Sequence, residues 1–597
     1  MIRSWFTRWF TGITRKIDWR IGWYRLPVLF GLLELLGMRI LLRQQNLYDT
    51  SAGTPTEPPA GAKDRCLKAR TADGTYNDLD IPTMGSAGTR FGRNVPLQDA
   101  YPGSDEAILT PNPRVISREL LARDSFVPAT TLNLLAAAWI QFMIHDWFSH
   151  GKNDKENKWL VPLAEDDPWP QRPMQIIRTH KDPTHTADSP SLPPTFLNTE
   201  THWWDGSQIY GSDATTQAKM RAGEDGKLKF GPDGLLPLDP ETGTDIAGVN
   251  GNWWVGLSLM HTLFTREHNA ICDRLRAEYP SWSDDDLFNH ARLVNVALMA
   301  KIHTIEWTPA ILAHPTLRAG MNGNWWGLAS KWVYEHFGRI SKSEVLSGIP
   351  GSPKDHFGVP YSLTEEFVSV YRMHPLLPDE ISFRSVTNDT QQQNRSLPDL
   401  IFQKVRTLQE QVSMTDLFYS FGTSHPGAIT LHNYPRFLQE LHEPDGSIID
   451  LATTEIIRDR ERGVPRYNAF RKLLHRPPLK SFEELTDNKA WVEELRRIYG
   501  NDIDKLDLMV GLYSETCPKG FGFSDTAFRI FILMASRRLN SDRFFTTDYN
   551  PQVYTPIGFR WIIENDMSSI LRRHYPDLSP SLRNVTNTFA PWPRAAG

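Results

Sequence analysis

The chain has 597 residues, and 65 Lys and Arg against 70 Asp and Glu leave a net charge of −5. That balance provides no basic stripe for nucleic acid, and 40% hydrophobic with 23% charged residues is ordinary globular composition. Three distant cysteines, Cys66, Cys272 and Cys517, form no disulfide framework and suit a reducing compartment; the lack of CxxCH argues against c-type haem.

At the N-terminus Trp5 and Trp9 are four apart, as are Phe6 and Phe10, so each pair shares a helix face. Arg3, Arg8, Arg15, Lys16 and Arg20 interleave with them, and Asp18 is the only acid before Glu34. Aromatic and basic residues at helical spacing mark a helix lying in a membrane interface. A signal peptide would have one compact apolar region, which is missing. The run Leu26–Leu42 is broken by Glu34 and Arg39, with Pro27 near its start, and falls short of the roughly 20 apolar residues a span needs. Residues 1–50 are therefore expected to be amphipathic helices giving peripheral, monotopic association from the intracellular side. A lid packed on the chain's own core is the alternative.

Residues 50–130 are rich in Pro, Gly, Asp and Thr and read as a wrapping segment with little regular structure. Helical periodicity follows over Leu132–Phe148, Leu257–Glu278, Asp285–Ile305, Leu363–Met373 and Thr526–Arg538. Alternating strand patterns are scarce and no internal repeat occurs. The fold class is mostly α, with one large helical catalytic domain over 51–597. The twenty tryptophans are expected to fill its core and wall an apolar cavity.

In LLAAAWIQFMIHDWFSH, Gln141 and His145 share a face. A lone histidine in an apolar helix is usually a satisfied core residue. The set Gln141, His145 and Asp146 points to chemistry instead. A haem peroxidase needs a neutral imidazole to move the peroxide proton, and a nearby amide can hold the bound oxygen species. In THWWDGSQIYGSD, Thr201, Trp203, Asp205 and Ser207 alternate along an extended loop. Their hydroxyl, carbonyl and carboxylate oxygens suit calcium, and Asp146 can add another; turn formation is the plainer alternative. In EEFVSVYRMHPLLPDE, Tyr371 precedes His374 by three, so on a helix both project to one side. Histidine is a common axial ligand of haem iron, and a tyrosine one turn away would lie beside the porphyrin. A buried tyrosine and a histidine near a helix end is the bland reading; Pro375 biases His374 toward a helix boundary.

FMIHDWFSH, THWWDGSQIYGSD, MHTLFTREHN, YRMHPLLPDE and IIRDRERGVPRYNAF together resemble the animal-type haem peroxidase and cyclooxygenase superfamily, in its order. WIQFMIHDW, AKIHTIEWT, PYSLTEEFVSVYRMH, DRERGVPRYN and MASRRLNSDRFFTTDYN resemble its fatty acid alpha-dioxygenase branch, from about residue 45 to the tail. The resemblance implies His145 as distal histidine with Gln141 beside it, His374 as iron ligand and Tyr371 as radical site. It implies His303, Thr308 and Arg538 around the substrate carboxylate. It also implies calcium held by Asp146, Thr201, the Trp203 carbonyl, Asp205 and Ser207.

The chain departs from classical mammalian peroxidases. Asn250, Trp253 and Trp254 stand where those have a distal arginine and haem-linking residues, and Ile144 where they have a linking Asp. Non-covalent haem b is the expected cofactor. Glu455 stands where they have an Asn contacting the proximal histidine, which would alter ligand basicity. The expected activity is removal of hydrogen from carbon 2 of a fatty acid by a tyrosyl radical, followed by O2 addition. The product is a 2(R)-hydroperoxy acid that can decarboxylate to a shortened aldehyde. A peroxidase using hydrogen peroxide and a non-catalytic membrane haem binder are the competing readings.

Overall fold

A computed structural model describes residues 2–54, 68–151, 153–186, 192–443 and 445–595. Cys66, and the side chains of Arg3, Trp5 and Phe6, lie outside the described residues. Nine helices position the features discussed below: α1 (Ile2–Arg20), α2 (Val28–Gln45), α3 (Leu135–Trp147), α4 (Val255–Glu278), α5 (Asp284–Ile302), α6 (Pro315–Trp326), α7 (Glu365–Val370), α8 (Leu451–Glu461) and α9 (Asp525–Ser541). Among the described residues strands form only four two-stranded antiparallel pairs. The segment from 68 to 130 carries short turns and helical pieces of five residues or fewer, as its Pro and Gly content requires.

Local signals start the helices where they stand. Ser283 and Asp286 close a reciprocal capping box on α5, whose first turn is acidic. Ser524 caps α9, Thr364 caps α7 and Asp450 caps α8. α3 is apolar around nearly its whole circumference and buried, as a helix inside a core must be. It packs on α4, which packs on α5.

The N-terminal pair is docked rather than free. At Gly37 of α2 an added Cβ would lie 2.3 Å from Thr14 Oγ1, so only glycine allows α1 so close. Trp23 is fully buried and its indole donates to Asp525 Oδ1 at 2.9 Å. Arg529 reaches Asp18 at 2.6 Å. The outer face of the pair exposes Trp9, Trp19, Val28, Leu29, Phe30 and Leu33. No helix among the described residues is long and apolar enough to cross a membrane.

Candidate active site

Burial sets the protonation state of His145. Its Nδ1 has no partner, and desolvation brings the imidazole down to about 4 against a Val249 backbone bond that favours the charged form. The ring is therefore neutral near pH 7. Gln141, one turn earlier on α3, is held at both ends of its amide. Trp254 donates to its Oε1 at 2.6 Å, and its Nε2 donates to the Asn252 carbonyl at 3.3 Å.

The helix expected over Leu363–Met373 is shorter: α7 runs Glu365–Val370. Tyr371 sits at its C-terminal cap, and His374 opens a separate 3-10 turn with Pro375 second. Proline lacks an N–H and crowds the residue before it, so the helix ends upstream. Tyr371 and His374 thus share a helix end and a turn, not one helical face. His374 keeps a third of its side chain exposed, and its Nδ1 lies 3.1 Å from Glu455 Oε1. The same carboxylate takes Arg372 Nη1 at 3.1 Å and the Tyr434 hydroxyl at 2.9 Å. One turn on, Asp459 accepts from Arg372 Nε at 3.1 Å and Ser369 at 2.7 Å. Burial alone would raise the Glu455 carboxyl. His374, then Arg372 and Tyr434, outweigh it and hold the group at about 2.

Tyr371 is buried, its hydroxyl has no partner, and burial lifts its phenol above the ordinary value. Its ring stacks on Phe531 at 4.4 Å, lies 4.6 Å from Phe367 and meets Trp147 edge-on at 5.1 Å.

His303 opens a π-helical turn, His303–Trp307, at the end of α5, so the periodic pattern expected through Ile305 stops three residues early. Such turns often mark functional positions. Trp307 fastens the turn to α3 by donating to the Ala136 carbonyl at 2.9 Å. The Trp139 indole lies 3.1 Å from His303 Nδ1. An indole only donates, so Nδ1 accepts. Burial, then Arg538, keep the ring neutral, well below its usual range, and its proton sits on Nε2. Thr308 donates to the His303 carbonyl at 2.8 Å.

Arg538, on α9, is 1% exposed, yet its Nε and Nη2 have no partner. Its guanidinium carbon lies 3.9 Å from the Trp147 ring and 4.3 Å from Trp204. A buried cation without a counter-ion is expensive and prepares a place for an anion. Trp147 joins the parts: the same ring touches Arg538, Tyr371 and, at 5.3 Å, His303. Trp139, Trp147 and Trp254 were missed as positioning residues, although Trp139 and Trp147 stand inside the motif WIQFMIHDW.

A cavity of about 200 Å³ leads to this place. Leu29 and Leu33 of α2 and Leu328 line it at the surface; Trp204, His303 and Thr308 line it inside. Tyr371 and Arg538 are not on its wall. They lie one ring behind, in contact with the lining residues Phe531 and Trp204.

Asp146 and Asp205 form a second unfinished arrangement. Asp146 Oδ1 accepts from the Ser207 amide at 2.6 Å and hydroxyl at 3.0 Å, while Oδ2 is unpartnered. Neither Asp205 oxygen nor Thr201 Oγ1 has a hydrogen-bond partner; Arg292 approaches Asp205 at 3.4 Å. Burial, then repulsion from Asp205, push Asp146 well above the usual carboxylate range. Two buried acids facing each other with free oxygens fit a hard cation. Among the described residues no group of three or more His, Cys, Asp or Glu could hold a metal, so hydroxyl and carbonyl oxygens would complete the set. The 201–206 stretch is a chain of bends rather than an extended loop, and Ser207 opens a one-turn helix. Trp203 is fixed by its indole, which donates to the Gly74 and Met84 carbonyls at 3.0 and 3.1 Å.

Comparison with known proteins agrees with this picture. The model of the animal haem peroxidase family matches residues 69–586. Alpha-dioxygenase 1 of Capsicum annuum is 42% identical over 593 residues, covering 96% of this chain and 90% of that protein. A tyrosine-to-phenylalanine variant of the Oryza sativa fatty acid alpha-dioxygenase, solved with palmitic acid, is 38% identical with a TM-score of 0.91, covering 98% of this chain and 97% of the other. The fatty acid alpha-dioxygenase of Arabidopsis thaliana gives the same score and identity, covering 99% and 94%.

Proposed function

The chain belongs to the animal haem peroxidase family, and on that premise we propose that it is a haem-dependent fatty acid alpha-dioxygenase. It is an oxidoreductase that binds haem. The observation that carries the substrate reading is Arg538: a caged guanidinium with free donors beside an apolar cavity and beside the ring that touches Tyr371. Its planar fork suits a carboxylate, and His303 Nε2–H adds a donor, while the Thr308 hydroxyl, which donates to the His303 carbonyl, would have to turn from it to add another. An acyl chain whose headgroup is held there has its carbon 2 next to the headgroup and toward Tyr371.

His374 would hold the haem iron through Nε2, the nitrogen that Glu455 does not face. Haem, when bound, supplies the oxidising power that takes one electron from Tyr371. Neutral His145 accepts the proton of a peroxide, with Gln141 fixed beside it. Tyr371 gives up its phenolic proton with the electron, the proton going to the water that the reduced peroxide becomes, and is left a phenoxyl radical. That radical removes a hydrogen atom from carbon 2 and is a phenol again. O2 adds to carbon 2. The peroxyl radical takes the hydrogen atom back from Tyr371, so each cycle joins one fatty acid and one O2 into a 2-hydroperoxy acid and restores the radical. Pinning the reacting carbon is a large part of the catalysis.

The haem is non-covalent b-type in this reading, since Ile144, Asn250, Trp253 and Trp254 offer no carboxylate or methionine for a link. Calcium belongs with Asp146, Thr201, the Trp203 carbonyl, Asp205 and Ser207, where it would fix the residue next to His145. Association with an intracellular membrane face is part of the proposal, supported by the exposed apolar residues of α1 and α2, of which Leu29 and Leu33 line the cavity mouth, and by free thiols at Cys272 and Cys517.

Oxygen uptake by the haem-loaded protein with a saturated fatty acid tests the reading, with product analysis for oxygen at carbon 2. Oxidation of small reductants by peroxide without oxygen uptake would replace it with a peroxidase.

A further inference from the structure

The wall of the same cavity carries a second basic site. Arg39 and Arg43, one turn apart on α2, both reach Glu344, Arg39 Nη2 at 3.3 Å and Arg43 Nη1 at 2.7 Å. Arg39 Nη1 also donates to Asn324 Oδ1 of α6 at 2.7 Å, and Arg43 Nη2 to Asn540 Oδ1 of α9 at 2.7 Å. Arg39, Asn324 and Glu344 line the cavity. Both arginines are 8% exposed, and the Nε of each is unpartnered. Burial works against the Glu344 carboxylate, but Arg39 and Arg43 hold it at about 2, so it stays ionised. Two guanidinium charges therefore face one carboxylate, and of the two only Arg39 lines the cavity. Leucines would pack this leucine-rich helix at less electrostatic cost.

We propose that Arg39, with Glu344 as its resident partner, is a transit site that receives the carboxylate of an incoming long-chain fatty acid between the cavity mouth and Arg538. The inference rests on the reading that fatty acids occupy this cavity. A carboxylate stripped of water by apolar walls costs several kcal/mol, and a guanidinium part-way along removes much of that barrier. Arg39 uses only two of its five N–H donors on Asn324 and Glu344. The others can donate to a carboxylate without breaking either bond. Leu29 and Leu33 line the outer stretch, and Arg39 lies about 9 Å further along the same helix by its rise per residue. The role also accounts for Arg39 interrupting the apolar run where packing alone calls for no charge.

A transit site touches the ligand only in passage, so its loss alters both rates and leaves the equilibrium alone. The test is stopped-flow binding and release of palmitic acid on the haem-loaded protein without peroxide. Arg39→Gln should slow association and release together by about tenfold, with Kd unchanged within about twofold. Arg39→Lys should recover part of the loss, and Glu344→Gln should speed association. The methyl ester of the same acid should be indifferent to Arg39→Gln. Unchanged rates, a Kd weakened through release alone, or slower association in Glu344→Gln would each overturn the transit site. Should Arg39→Gln fail to fold, Arg39→Lys and Glu344→Gln carry the test. Arg538→Gln in the same assay separates the two readings. If it leaves Kd unchanged, the fatty acid reading fails; if it weakens Kd while Arg39→Gln changes nothing, only the transit site fails.

Discussion

Beneath His374 the carboxylates and the arginine are paired: Glu455 is shared by Arg372 and Tyr434 and lies 3.1 Å from His374 Nδ1, and Asp459 closes the loop through Arg372 and Ser369. Around Arg538 the cation is boxed in by two tryptophans and left with free donors. Both regions lie inside the fold, and both hold charge. A satisfied network is rigid and fixes an orientation. An unsatisfied one stays costly until a ligand completes it. The closed side suits a permanent resident and the open side a substrate that comes and goes.

The hardest blow to that contrast falls between the two, on Tyr371. Tyr371→Phe removes only a hydroxyl that has no partner, so folding and haem absorbance should persist while oxygen uptake with fatty acid disappears. Retained uptake would detach the phenol from the chemistry. On the open side, Arg538→Gln should weaken fatty acid binding about 10- to 100-fold, the worth of charge-assisted hydrogen bonds, as read by titration. A substrate-free gain in thermal stability would accompany it, because an unpaired buried charge is gone. On the closed side, Glu455→Gln keeps a group beside Tyr434 but loses the charge facing His374. Haem affinity or turnover should fall about tenfold, and the haem reduction midpoint should rise.

The same residue gives a pH signature. Glu455 is held at about 2 rather than 4.5, so its stabilisation is present above the ordinary carboxylate value and is lost as pH falls from there toward 2. Acid unfolding followed by circular dichroism should flatten across that window in Glu455→Gln. The smallest expected effect concerns Asp146 and Asp205, an open pair of opposite sign. Calcium chelation should lower the melting temperature by about 5 °C, and Asp205→Asn should blunt the response; a chelator with no effect on either protein would empty that site of its meaning.

Residues related by short spacing were readable before any coordinates. Gln141 and His145 are four apart on a strongly apolar helix, and the structure keeps them there. The break at Val370 was half readable, because Pro375 announces a boundary without saying how far upstream it falls. Contacts over long sequence distance left no pattern to read: Trp139 meets His303 across 164 positions, and Trp254 meets Gln141 across 113. The π turn at His303 likewise has no periodic signature. Arg39 was visible as an interruption of an apolar run and counted only against a membrane span. Its partners Asn324 and Glu344 lie 285 and 305 residues away, so its place in a cavity wall could not be seen.

Trp147 has one more consequence. An indole 5.1 Å from Tyr371 is itself a capable electron donor and could compete for the oxidising hole. Removing an electron from it would create a cation 3.9 Å from the guanidinium of Arg538, and like charges at that range in a dry interior repel strongly. On the proposed mechanism the arginine would thereby confine oxidation to the phenol. In an Arg538→Gln protein treated with peroxide, electron paramagnetic resonance should find spin density leaking onto tryptophan; a signal confined to tyrosine would show that the phenol needs no such guard.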